Sequence, residues 1–462
     1  MNALILLSSL GVLALLAEIF NFRKVLFPLI LLGLAGVVGL AVADWNNKQS
    51  FSPVFMNMLV FDHRAIIFTV IMTVTLMLWM LMSREYFEEQ SSATDHYALV
   101  LFALVGAMVM ASYNNMTMLF IGIEILSLSM YVLCGSNKFS LSSNESAFKY
   151  FLMGSFATGF LLFGIALIYG ATGSFDLQQI SVGIFQAEKA GMRVLILPGV
   201  LMMMIGMAFK VSAVPFHFWA PDVYQGAPTP VTAYMSTIVK TAAFAAFFQL
   251  FATCFSAVNE AWNNVLWGIA AATLLLSNIT AVYQQNVKRM LAYSSISHAG
   301  YMLLAILAMS PVSSVIYYTA AYSVGSIASF AILMMVAKAN NGDESFDSFN
   351  GLAKRNPVLA LVMSITMLSL AGIPITAGFF AKYYIFLAAI NAGYTGLVCI
   401  AVVGSLISVY YYLRVIIAMY FRKAHNDSAV ELNGMQQVLM VLVTALILAM
   451  GIFPDLLLSV MN

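Results

Sequence analysis

The sequence predicts an all-α polytopic membrane protein, and three observations carry that prediction. Of its 462 residues 62% are hydrophobic and 8% charged, with a mean hydropathy of +0.94; a soluble domain carries about a quarter charged residues. The apolar residues fall in runs of about 20, the length that crosses the hydrocarbon core as a helix, and there are about fourteen such runs. The connections between them are short, and none is expected to fold as a soluble domain.

In order, the runs are 3–20, 25–43, 65–82, 97–112, 116–134, 147–170, 194–214, 230–254, 263–283, 290–309, 312–337, 357–390, 395–420 and 435–457, here segments 1 to 14. Segment 1 meets Arg23 and Lys24 at its end. A signal peptide carries its charges before the apolar stretch, so segment 1 is expected as a retained helix. Segments 2 and 3 enclose loop 44–64, where residues 51–60 are a candidate for lying on the membrane surface. The other long loops are 83–96, 171–193 and 338–356. Segment 7 runs into Pro215, whose ring clashes with the carbonyl of Val211 and removes a backbone bond, so the helix is expected to unwind just after Lys210. Segment 12 is long for one helix, and Gly372 and Pro374 predict a break inside it. Between segments 7 and 8, PFHFWAPDVYQGAPTP at 215–230 holds four prolines, aromatic residues on both sides of His217, and Asp222. That density of stiff residues predicts an ordered, positioning connection.

The expected organisation is one membrane domain over 1–462. Helices 1–3 occupy 1–96, a first repeat 97–254, a second repeat 263–420 and a C-terminal helix 435–462. Segments 4–8 and 9–13 are two units of five, and an odd number inverts the second unit relative to the first. Segment 7 then matches segment 12, and segment 5 matches segment 10. Two broken helices in corresponding positions are the pattern of a transport site at membrane depth.

A net charge of +1 offers nothing to nucleic acid. Cys134, Cys254 and Cys399 are far apart and form no metal motif, and neither a GxGxxG nor a Walker A loop is present. No bound nucleotide, metal or redox centre is expected, and the bilayer is the first partner. Eleven basic loop residues (Arg23, Lys24, Arg84, Lys138, Lys288, Arg289, Lys338, Lys354, Arg355, Arg422, Lys423) fall on one side, against Lys48, Arg64, Lys189 and Arg193 on the other. The positive-inside rule places the N-terminus outside.

Five basic residues remain within or at the ends of helices: Lys149, Lys210, Lys240, Lys382 and Arg414. Glu124 is the one carboxylate deep in an apolar run. A charge at the centre of a membrane helix costs roughly 2.5–3.5 kcal/mol on insertion scales, so a set of them points to a proton or cation path. Lys149 and Arg414 lie a turn or two from a boundary, where snorkelling to the interface is the alternative. Glu18 is expected to pair with Arg23 at the surface. For Glu124, Lys210, Lys240 and Lys382 the alternative is a structural buried ion pair such as Glu124 with Lys210. Lysine suits a proton path because burial disfavours its charged form and a nearby carboxylate favours it, so moving the partner switches the group. His298, in SSISHAGYM, is a relay candidate whose imidazole titrates near neutrality, with Ser294, Ser295 and Ser297 placed to hold water.

The stretch 209–244, FKVSAVPFHFWAPDVYQGAPTPVTAYMSTIVKTAAF, resembles the antiporter-like membrane subunits of respiratory complex I, and its PDVYQGAPTPV is most similar to the subunit N form of bacterial NADH–quinone oxidoreductase. VKRMLAYSSISHAGYMLLA at 287–305 and LSLAGIPITAGFFAKYYIF at 368–386 share the resemblance, which covers most of the chain from segment 3 onward. It implies a subunit of a proton-translocating NADH:quinone oxidoreductase in the bacterial inner membrane, moving protons as quinone is reduced elsewhere. Quinone, NADH, FMN and iron–sulfur clusters are then expected in other subunits, with antiporter-like and quinone-site membrane subunits as partners. The family glutamate matches Glu124 in IGIEILSLSMYVL, and its three lysines match Lys210, Lys240 and Lys382. FKYFLMG at 148–154 matches the family's start to helix 6 and draws in Lys149. The competing readings are a cation/proton antiporter subunit, the membrane arm of a hydrogenase or ferredoxin dehydrogenase, and a scaffold with inert charge pairs. The residues after PDVY, and the lack of a larger acidic set for sodium, argue against the antiporter.

Overall fold

The computed structural model describes residues 1–20, 23–46, 57–88, 93–189, 191–424 and 430–461. Lys48, residues 51–56 of the expected surface stretch, and the side chains of Glu18, Arg23 and Lys24 lie outside the described residues. The rest of that stretch is tied into the protein instead. Val60 N donates to Ser112 O at 2.8 Å and Asn114 N to Met58 O at 2.9 Å, with Leu59 buried against Phe61 and Val109.

Twelve helices among the described residues are long and apolar enough to cross a membrane, and Asn2–Ala17, Pro357–Ala371 and Ala377–Asn391 are shorter apolar helices beside them. The extended pairings among the described residues are three isolated bridges. Polar residues at the run boundaries start the helices, because the first backbone N–H groups need acceptors. Asn115 caps Met116–Cys134, Asn286 caps Val287–Leu307, and Asn356 caps Pro357–Ala371, where Pro357 fills the first turn. Asn433 and Gln436 form a capping box on Gly434–Ile452.

Segment 7 is the helix Arg193–Lys210, and the chain leaves it after the lysine: Ser212 has a φ of 61° and the Val214–Pro215 bond is cis. Segment 12 is two helices, Pro357–Ala371 and Ala377–Asn391, separated at Gly372, whose φ is 86°. Segment 8, Thr229–Cys254, contains two π turns, Met235–Val239 and Gln249–Cys254. Three helices lie inside expected connections, Leu177–Lys189 in loop 171–193, Trp219–Gly226 in the proline-rich stretch and the one-turn Leu352–Arg355 in loop 338–356. The second carries Pro221 in its first turn, where a missing N–H leaves no bond unmade.

The chain divides into two compact units. The first comprises 1–77, 84–219 and 238–266. In it segments 6 and 7 cross closely through small residues, the usual device of membrane helix packing. A Cβ on Gly164 would stand 2.8 Å from Gly199 O, and one on Gly199 3.2 Å from Gly164 O. The second unit comprises 78–83, 220–237 and 267–462. Its helices Val287–Leu307 and Val312–Ala339 are almost wholly buried, whereas Gly434–Ile452 is largely exposed on its sides.

Candidate functional site

Lys210, Lys240, His298 and Lys382 are 4%, 2%, 5% and 6% exposed. None of the three lysines lies at a surface to which it could snorkel.

In the first unit Lys210 is the last residue of its helix, so its side chain stands where the backbone ladder ends. Its Nζ donates to Ser127 Oγ, and Ser127 in turn donates to Ile123 O. The ammonium lies 5.8 Å from the centre of the Tyr150 ring, which stacks on Trp219 at 4.5 Å. Trp219 is pinned by its Nε1 to Phe209 O at 3.2 Å, so the residue before the lysine and the first helical residue after the break hold one aromatic wall. Glu124 lies on the same helix as Ser127, three residues earlier and therefore on the same face. Its Oε1 is buried without a hydrogen-bond partner among the described residues. Glu124 and Lys210 make no direct ion pair among the described residues. The lysine is held by a neutral hydroxyl with a carboxylate one turn away.

Lys240 follows directly on the π turn Met235–Val239. Lys149 stands apart from the buried set: it is 37% exposed and pairs with Glu145, one turn back, at 2.6 Å.

In the second unit Lys382 lies beyond the break and reaches back to it. Its Nζ donates to Ala371 O at 2.7 Å and to Ser405 Oγ at 2.8 Å. Ala371 ends the first half-helix, so its carbonyl has no intrahelical donor and belongs to the negative end of the helix dipole. The lysine supplies the missing donor and the matching charge. The Tyr301 ring lies 4.9 Å from Nζ, and His298 lies 5.9 Å from the same ring. His298 Nδ1 and Tyr318 OH are 2.7 Å apart, His298 Nε2 and Tyr412 OH 3.2 Å, and Tyr412 OH and Ser294 Oγ 2.5 Å. Tyr301 OH is buried facing the side chains of Ser297, Ser405 and Asn278, so the ring beside Lys382 sits in a polar pocket. Arg414 donates to Gln284 O at 2.7 Å and lies over the Phe346 ring at 3.9 Å.

Sequence reasoning missed Ser127, Ser405, Tyr150, Tyr318 and Tyr412. Ser127 had a signal, its spacing of three from Glu124. Ser405 and the tyrosines are single polar atoms in apolar runs and are identified only by what they touch. Among the described residues no group of three or more His, Cys, Asp or Glu gathers that would hold a metal ion.

Comparison with known proteins identifies the family and the fold. The family described as NADH:quinone oxidoreductase/Mrp antiporter, TM, matches residues 112–408. NADH-quinone oxidoreductase subunit N of Cytophaga hutchinsonii is 46% identical over 464 aligned residues, covering 100% of this chain and 99% of the relative. A chain in a structure of respiratory complex I from Thermus thermophilus with bound aureothin superposes with a TM-score of 0.83 at 31% identity, covering 99% of this chain and 98% of the other. A chain of the Mrp complex from Dietzia sp. shares the fold, with a TM-score of 0.86 at 20% identity over 99% and 95% of the two chains. The end-to-end match and the shared fold agree: this chain belongs to the NADH:quinone oxidoreductase/Mrp antiporter membrane family, in its NADH-quinone oxidoreductase subunit N branch.

Proposed function

We propose that this chain is the antiporter-like subunit N of an NADH–quinone oxidoreductase and moves protons across the bacterial inner membrane as neighbouring subunits reduce quinone. The observation that carries the proposal is the pair of buried lysines held by neutral oxygens, Lys210 on Ser127 and Lys382 on Ala371 O and Ser405. A buried ammonium without a carboxylate in contact is expensive in a scaffold. It is useful where a proton must be taken up and given away, because neutral oxygens accept a hydrogen bond from either form of the amine.

In this reading the N-terminus lies outside and two inverted repeats, 97–254 and 263–420, form one membrane domain. A proton enters from the cytoplasm toward Lys210. Glu124 approaches or leaves Lys210 as a neighbouring subunit rearranges, and withdrawal of its charge favours release. The proton passes through Lys240 and His298 to Lys382 and leaves to the outside. The chain itself binds no redox group; other membrane subunits and the bilayer are its partners.

The test uses inverted membrane vesicles carrying Lys210→Ala, with assembly verified and NADH-driven quinone reduction and proton uptake followed together. A joint fall in both is expected. Normal values for both would overturn the proposal and leave an independent transporter or an inert scaffold.

A further inference from the structure

We propose that Lys288 and Glu344 form a positioning clamp that fixes the start of segment 8, and with it the helix that carries Lys240. The proposal rests on the function given above.

Lys288 is the second residue of the helix Val287–Leu307 and is buried. Both facts are unfavourable. A cation in the first turn meets the positive end of its own helix dipole, and burial removes its water. What it touches offsets this. Lys288 Nζ donates to Ala227 O at 2.8 Å and lies 3.1 Å from Glu344 Oε1. The same Glu344 oxygen accepts from Thr229 Oγ1 at 2.9 Å.

Ala227 and Thr229 flank the joint between two helices. Trp219–Gly226 ends just before Ala227, and Thr229 is the first residue of segment 8. A helix C-terminus presents carbonyls and negative charge, and a helix N-terminus presents N–H groups and positive charge. The clamp sets the lysine against the first and the glutamate against the second, and the two charges neutralise each other. Glu344 is itself held by its backbone, since Val287 N donates to Glu344 O at 2.9 Å. The other end of the short helix is tied as well. Asp222, in its first turn, pairs with Arg289 Nη1 at 2.9 Å, and the same nitrogen reaches Gln225 Oε1 at 2.8 Å. The joint is thus fixed from both sides, with Pro228 and Pro230 stiffening it. Segment 8 then passes through the π turn Met235–Val239 to Lys240. An anchored start fixes the rotation of the helical residues beyond it, Lys240 among them.

The test compares Lys288→Met, Lys288→Arg, Thr229→Val and the double variant Lys288→Met/Glu344→Gln with Lys210→Ala in inverted vesicles, with assembly measured separately. Lys288→Met leaves the partly buried Glu344 carboxylate without its cation and is expected to lower assembly. The double variant removes that charge and is expected to restore assembly while kcat for quinone reduction and proton uptake stay about fivefold low at unchanged KM, as for a displaced rather than a missing group. Lys288→Arg is expected to keep most of the turnover. Thr229→Val, which deletes one hydrogen bond, is expected to lower kcat about twofold with assembly intact.

Normal kcat in the assembled double variant, beside an impaired Lys210→Ala, overturns the clamp and leaves the proposed function standing. Normal kcat in both overturns both. If the double variant does not assemble, Thr229→Val decides, and a normal kcat there overturns the clamp.

Discussion

The surroundings of Lys210 and Lys382 answer the same problem, a buried lysine beside a helix break, in two ways. Lys210 precedes its break and Pro215, and leans on a side chain of another helix, Ser127, with the unpartnered oxygen of Glu124 one turn away. Lys382 follows its break and leans on backbone, the carbonyl of Ala371 that the break itself set free. Both stand near a tyrosine ring, Tyr150 for one and Tyr301 for the other. A side-chain carboxylate can approach or withdraw, so the field at Lys210 is adjustable. A helix end cannot be withdrawn without refolding the break, so the field at Lys382 is built in. Under the proposed function this asymmetry suits an adjustable acceptor on the uptake side and a fixed one on the release side.

The largest expected effect is common to both sites. Lys382→Met keeps the length and the apolar stem but removes the proton-carrying amine. Quinone reduction and proton uptake should fall together by at least about tenfold, as for loss of a proton-transfer group. A variant with normal pumping would end the claim that the two lysines are comparable at all.

Glu124→Gln separates them. It preserves shape and removes the adjustable charge near Lys210, leaving Lys382 and its helix end untouched. Turnover should fall several-fold, less than for either lysine, with assembly intact because Glu124 makes no ion pair among the described residues whose loss would strand a charge. An effect equal to that of Lys210→Ala would mean that Glu124 carries the proton itself and does not merely tune its neighbour.

How far the sequence shows this asymmetry depends on where each half of it is written. Charges inside apolar runs are conspicuous, so the amino-acid sequence alone singles out Glu124, Lys210, Lys240 and Lys382, and Pro215, Gly372 and Pro374 locate both breaks. Twenty-residue apolar runs point to the helical membrane architecture for the same reason. The contacts of each lysine were not legible. Ser127 and Ser405 resemble any serine in a membrane helix, and a free carbonyl such as Ala371 O has no letter of its own. The helix Trp219–Gly226 was hidden because the four prolines of 215–230 read as loop, although Pro221 sits where a helix tolerates it. Glu124 and Lys210 illustrate a further limit: opposite charges at membrane depth suggest contact, and in the structure Lys210 bonds to Ser127 instead, with no ion pair to Glu124 among the described residues.

Gly372→Ala probes the built-in half. With φ at 86°, a side chain there costs about 1–2 kcal/mol. Its Cβ would also stand 2.9 Å from Lys382 Cδ. The variant should lower the thermal stability of the assembled complex and reduce turnover by less than Glu124→Gln does. Unchanged stability would show that the break relaxes freely and that its carbonyl end is not a fixed feature.

The smallest expected effects compare the two serines. Ser127→Ala removes the side-chain acceptor that Lys210 has in the structure, whereas Ser405→Ala leaves Lys382 its bond to Ala371 O. A hydrogen bond to a charged group contributes about 1.5–3 kcal/mol, and water entering the space left by the hydroxyl recovers part of it. Turnover should therefore fall about threefold for Ser127→Ala and less than about twofold for Ser405→Ala, measured as quinone reduction in the same vesicles. The order matters more than the sizes. If Ser405→Ala is the more damaging, the carbonyl of Ala371 does not hold Lys382 by itself. Fixed backbone would then not be what distinguishes the second site from the first.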